Sequence, residues 1–159
     1  METKEDQNSG AHLTKAKQAA YRLLKVRCRS EKEIAERLLL KKFSVEAIQQ
    51  TISFLKEAKL LDDRQFVKVW VADRLSKPYG IKRIVFELKK KGISDDHISE
   101  AVESIKQNIN EEAIVHDIIR RKIIQYKDPD RQKRKKRLFD YLIYRGFSPE
   151  IIDKAIARL

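Results

Sequence analysis

Residues 91–105 read KGISDDHISEAVESI, a lysine–glycine turn, a serine, and then Ile98, Ala101, Val102 and Ile105 at intervals of zero, three, four and seven. That spacing lays the apolar residues along one face of an α-helix that starts at Ser94. The same register occurs twice more. Phe43-Ser44 precedes Ile48, Thr51, Ile52 and Leu55, and Gly146-Phe147-Ser148 precedes Ile152, Ala155, Ile156 and Leu159. Copies offset by 50 and then 54 residues mark stacked modules, whose function lies on an extended surface rather than in one pocket.

Working outward, each copy carries two more helices. In the first, a helix over residues 16–26 turns Ala16, Ala20, Tyr21 and Leu24 inward, and Ser30 with Glu33 forms a capping box ahead of the stripe Ile34 and Leu38. In the second, Asp62 and Gln65 stand at capping-box separation. Phe66, Val67, Trp70, Val71 and Arg74 follow at helical spacing, Pro78 and Gly80 break the helix, and Ile81, Ile84, Val85 and Leu88 define the next one. Gly92 stops it, as the residue that most easily turns left-handed. In the third, Ile114, Val115 and Ile118 face inward, Asp128-Pro129 reads as N-cap and first helical position, and Leu138, Phe139, Leu142 and Ile143 supply the stripe up to Gly146. The expected organisation is a flexible tail over 1–11 and three-helix repeats over 12–60, 61–108 and 109–159.

Composition agrees with an all-α class: four glycines, three prolines and no useful β alternation in 159 residues. No apolar run approaches the roughly 20 residues a bilayer requires, and the start lacks a secretory core, so a cytosolic protein is expected. The single cysteine, Cys28, rules out an internal disulfide framework and reads as an inert thiol. Lys and Arg number 36 against 24 Asp and Glu, a net charge of +12, which points to a polyanionic partner.

Leu61-Asp62-Asp63 through Phe66, Trp70 and Arg74, then Gly80, Ile84, Glu87-Leu88 and Lys91-Gly92-Ile93, are similar to the central repeat of the RecX family, bacterial regulators of the RecA recombinase. Arg29-Ser30 with Ile34 and Leu38 matches the first repeat. The third matches in plan. The first departs from the family's usual glycine by having Lys42 before Phe43. The resemblance implies an elongated, helix-turn-helix-like tandem array with no catalytic site and no cofactor. It further implies association with the RecA–DNA filament, usually restraining its growth or activity in recombination and DNA repair. The alternative is a general DNA- or RNA-binding helical array without recombinase dependence.

Charge placement separates these from an operator-reading repressor. Outward positions of the last helices carry Glu46, Gln49 and Gln50; Asp95, Asp96, Glu100 and Glu103; Glu150, Asp153 and Lys154. Most repel phosphate, whereas a recognition helix brings donors to base edges. The cations lie on the first and middle helices: Lys15, Lys17, Arg22, Lys25, Arg27 and Arg29; Lys82, Arg83, Lys89, Lys90 and Lys91; Arg131, Lys133, Arg134, Lys135, Lys136 and Arg137. The last two groups are the candidate DNA- or filament-binding residues. Modules stacked in one orientation would show a discontinuous basic strip on the middle helices and an acidic one on the last helices. Six basic residues in seven from Arg131 to Arg137 must spread around the helix, and contact with phosphate explains the cluster better than solvation alone.

Phe66 and Trp70 read as core, and Tyr79, Tyr126, Tyr141 and Tyr144 as candidate exposed contacts. His12, His97 and His116 lack partners at metal-ligand spacing, and no glycine loop for a phosphate is present. Asp62-Asp63 is explained as a helix cap and dipole partner. Catalysis is not expected. A monomer is the default for an array that closes its own core.

Overall fold

In a computed structural model, residues 4–126 and 130–158 are described, with side chains from Gly10 onward. Nine helices and no strand occupy the described residues: α1 Lys4–Val26, α2 Glu31–Leu40, α3 Val45–Glu57, α4 Asp63–Leu75, α5 Ile81–Lys90, α6 Asp95–Asn108, α7 Glu111–Gln125, α8 Arg131–Arg145 and α9 Pro149–Ala157. They follow the expected order, three to a repeat. None is long and apolar enough to cross a membrane.

The caps form where the sequence puts them. Ser44, Ser94 and Ser148 accept hydrogen bonds from the backbone N–H of Ala47, His97 and Ile151, and Ser30 with Glu33 completes a reciprocal capping box. Asp62 accepts from the N–H of Arg64 and Gln65 at 2.8 and 3.3 Å. Gly92 and Gly146 stop α5 and α8 with φ of 78° and 88°. Lys42, which replaces glycine in the first copy, takes the same left-handed conformation, φ 64°, at the cost of its Cβ crowding the carbonyl. Lys42→Gly is therefore expected to raise stability by about 1 kcal/mol, read as a higher urea midpoint; an unchanged or lower midpoint would contradict the strain.

By contact the chain forms two compact units, one of Met1–Val69 with Lys91–Ile93, the other of Trp70–Lys90 with Ser94–Leu159. In the first, Ala20, Ile34, Leu38, Ile48, Leu55 and Leu61 form the core, with Leu24, Phe43 and Ile52 against it. In the second, Val115, Ile118, Ile119, Leu138, Leu142, Phe147, Ile152, Ala155 and Ile156 do so, with Ile114 and Phe139 against them.

A clamp recurs in both units. In the first, the start of α2 is held by later residues: Asp63, opening α4, accepts from Glu31 N–H at 2.8 Å, and Ser30 Oγ donates to the carbonyl of Lys91, just before Gly92, at 2.8 Å. In the second, the start of α5 is held the same way. Glu111, opening α7, accepts from Ile81 N–H at 2.8 Å, and Gly80 N–H donates to the carbonyl of Arg145, just before Gly146, at 2.9 Å. Helix starts leave N–H groups unsatisfied, and α2 and α5 each draw a missing acceptor from the following repeat.

Three expectations need correction. The helix begins at Lys4, where a tail through residue 11 was expected; Glu, Gln and Lys are good helix formers, and extending an already nucleated helix costs little. Tyr21 and Ile143, placed on inward stripes, are 41% and 40% exposed; Tyr21 lies instead at the edge of the core, its ring edge-on to Phe54 at 6.3 Å. The cap of α8 is Asp130, accepting from Gln132 and Lys133 N–H. The expected cap pair Asp128-Pro129, and Leu159 on the last stripe, lie outside the described residues.

Candidate nucleic-acid interface

The candidate cations divide by what they already hold. On α5, Arg83 donates from Nε to Glu87 at 3.1 Å and from Nη1 to the carbonyl of Tyr144 at 3.2 Å, and its guanidinium lies 4.3 Å from the Tyr79 ring centre. Lys91, in the turn, is paired with Glu33. These two fasten the chain to itself. Lys82, Lys89 and Lys90 are exposed, and the 3.4 Å contact of Lys89 with Asp95 joins two exposed groups that solvent screens.

On α8, Arg131, Lys133, Lys136 and Arg137 are exposed while Arg134 and Lys135 are half-buried, so the run does spread around the helix. Of the first-helix cations, Lys17 sits 3.8 Å from the Phe54 ring centre and Arg27 meets Glu33, while Lys15, Arg22 and Lys25 are exposed.

Aligning the middle helices by the repeat offsets shows that the basic strip does not recur. Lys82, Phe86, Lys89 and Lys90 of α5 correspond to Lys32, Glu36, Leu39 and Leu40 of α2 and to Lys136, Asp140, Ile143 and Tyr144 of α8. Only α5 presents three cations and no carboxylate at these positions. Its one acid, Glu87, is tied to Arg74 and Arg83. Burial alone would push the Glu87 carboxyl up, but these two hydrogen-bonded arginines outweigh it and hold it below its ordinary value. The acidic positions of the last helices are exposed as expected: Asp95, Asp96, Glu100 and Glu103 on α6, and Glu150 and Asp153 on α9.

The aromatics divide likewise. Phe66 is 1% exposed, and Trp70 carries the Arg74 guanidinium 4.0 Å from its ring centre, so both serve packing. Tyr79 and Tyr141 flank Arg145, at 5.0 and 5.1 Å, and Tyr144 lies 5.2 Å from Arg83. Tyr126 packs against the core. His12 stacks at a tilt on Phe43. Cys28 is half-buried, and burial pushes its thiol up, away from the thiolate that would react.

The chain is similar to known proteins. Profiles of the first, second and third three-helix domains of RecX match residues 16–55, 62–102 and 110–156. A regulatory protein RecX of Caldanaerobacter subterraneus subsp. tengcongensis is 34% identical over 141 residues, 89% of this chain and 68% of that protein. One of Chlorobium phaeobacteroides is 36% identical over 146 residues, 91% of this chain and 93% of that protein. The crystal structure of RecX from Lactobacillus salivarius superposes with a TM-score of 0.80 at 22% identity, covering 94% of this chain and 97% of that one. A second crystal structure of a regulatory protein RecX gives 0.85 at 18% identity, covering 100% and 81%. At these identities the two structures speak for the fold.

Proposed function

The chain belongs to the RecX family of regulatory proteins, and from that premise we propose that it binds the RecA–DNA filament and restrains its growth or activity in recombination and DNA repair. The observation that carries the reading is the unbroken series of three RecX domains, in order, over residues 16–156. The charges support it. Exposed lysines and arginines on α5 and α8 suit phosphate, while the exposed acids of α6 and α9 would repel bare duplex and suit a partner that also shows basic protein surface. A nucleoprotein filament offers both.

Fluorescence anisotropy of the labelled protein tests this, against bare single-stranded DNA and the same strand coated with RecA, at low and near-physiological salt. Binding to the coated strand is expected to be about tenfold tighter or more, a difference of about 1.4 kcal/mol, and to survive the higher salt. Replacing Lys133, Arg134, Lys135 and Lys136 by Ala should weaken both complexes and flatten the salt dependence. Filament extension should slow as protein is added; unchanged extension removes the restraining role. Equal binding that vanishes with salt would leave a general basic array and overturn the recombinase assignment.

A further inference from the structure

Phe86 is 68% exposed on α5. The other exposed aromatics are engaged within the chain: Tyr21 faces Phe54, and Tyr144 lies near Arg83. Among the described residues Phe86 has neither a ring nor a cation partner. Its helical neighbours are Lys82 one turn before and Lys89 and Lys90 one turn after, the spacing that puts side chains side by side. All three are exposed. The corresponding residues of the other repeats are Glu36 and Asp140, so this repeat has an aromatic ring where its neighbours have an acid.

From this juxtaposition we infer that the outer face of α5 is a single-strand contact in which Phe86 stacks on an unpaired base while Lys82, Lys89 and Lys90 hold the flanking phosphates. It rests on the nucleic-acid half of the reading above and names the group that would tell a single strand from a duplex. Stacking tolerates any sequence because every base has a π face. In a duplex those faces are covered by neighbouring bases, so Phe86 has nothing to stack on, whereas the lysines meet phosphate in either form. A lipid surface fits less well: an interfacial helix inserts a broad apolar face, and here a single ring shares its helix face with three exposed lysines.

The test uses the full chain and anisotropy against labelled oligothymidylate and a labelled hairpin duplex across a salt series. Phe86→Ala is expected to weaken single-strand binding about tenfold, leave the duplex unchanged and keep the slope of log affinity against log salt. Phe86→Trp should restore it. Lys82→Ala, Lys89→Ala and Lys90→Ala together should weaken both ligands and flatten both slopes. Thermal melting of Phe86→Ala should match the parent, because the ring is mostly in water. Full single-strand affinity in Phe86→Ala overturns stacking while the lysine variants still report on the face. Equal losses on strand and duplex also overturn it. No effect from the triple lysine variant removes nucleic acid from α5 altogether, and a Phe86→Ala defect confined to the RecA-coated strand makes Phe86 a protein contact.

Discussion

Gly80→Ala is expected to cost about 3 kcal/mol and lower the melting temperature by roughly 6–12 °C. A Cβ at Gly80 would lie 2.3 Å from the carbonyl oxygen of Gly146 and 2.5 Å from the backbone nitrogen of Phe147. Neither is a side chain that can swing away. The start of α5 would have to lift from the turn after α8, stretching the Gly80 N–H bond to Arg145 and the Lys82 N–H bond to Gly146, now 2.9 and 3.1 Å. Each net bond contributes about 1 kcal/mol and overpacking adds 1–3 kcal/mol. Gly10→Ala is the control: its Cβ would meet nothing within 4 Å, and glycine is a poor helix former, so that change should be neutral or slightly stabilising. Thermal melts followed by circular dichroism compare the two. A Gly80→Ala protein that melts with the parent would mean the approach is not held in solution.

Glu33→Gln should cost about 2 kcal/mol at pH 7 and almost nothing near pH 2. The Glu33 carboxylate accepts from Ser30 N–H at 3.4 Å, from both terminal nitrogens of Arg27 at 2.9 and 3.1 Å, and from the Lys91 ammonium. Burial alone would push its carboxyl up, but hydrogen bonds from Arg27 and Lys91 and their charges outweigh that and bring it from 4.5 down to about 2. Because the folded value lies below the unfolded one, the stabilisation is complete above pH 4.5 and is lost as pH falls toward 2. A shift of that size corresponds to about 3 kcal/mol; Arg27 is 44% exposed, and solvent screening brings the figure down to about 2 kcal/mol. Urea unfolding of both proteins from pH 7 to pH 2.5 measures the gap. A gap that stays constant across that range would assign the loss to shape rather than charge.

What was legible in the sequence was local. Ser44, Ser94 and Ser148 announce helix starts because a cap acts on the next three residues, and Gly92 and Gly146 announce stops because a left-handed turn concerns one residue. The apolar intervals located Ile34, Leu38, Ile84, Leu88, Leu138 and Ile152 in the interior, where all are at most 1% exposed. The clamp was not legible. Asp63 reads as a second dipole partner of its own helix, yet it accepts from Glu31, 32 positions earlier, and no local pattern encodes that meeting. Glu111 and Ile81 are likewise brought together by packing alone.

The candidate interface was half legible. Charge counts find the cations, but a side chain committed to groups of the chain itself looks the same in sequence as an exposed one: Arg83 is held by Glu87 and the Tyr144 carbonyl and Lys91 by Glu33, while Lys82, Lys89 and Lys90 are exposed. Phe86 was legible only by omission: it falls off the stripe of Ile81, Ile84, Val85 and Leu88, and the structure places it 68% exposed.

The recurring clamp gives the chain a direction of dependence. The first repeat's middle helix takes acceptors from residues 63 and 91, and the second's from residues 111 and 145. For these two helices the additional support arrives from later in the chain. A ribosome delivers the segments in the opposite order, so α2 and α5 each emerge before the groups that complete their clamps, which follow only after a further 60 or so residues. A chain released early would retain helices whose starts are unfinished, whereas one lacking its first repeat would keep both halves of the second clamp.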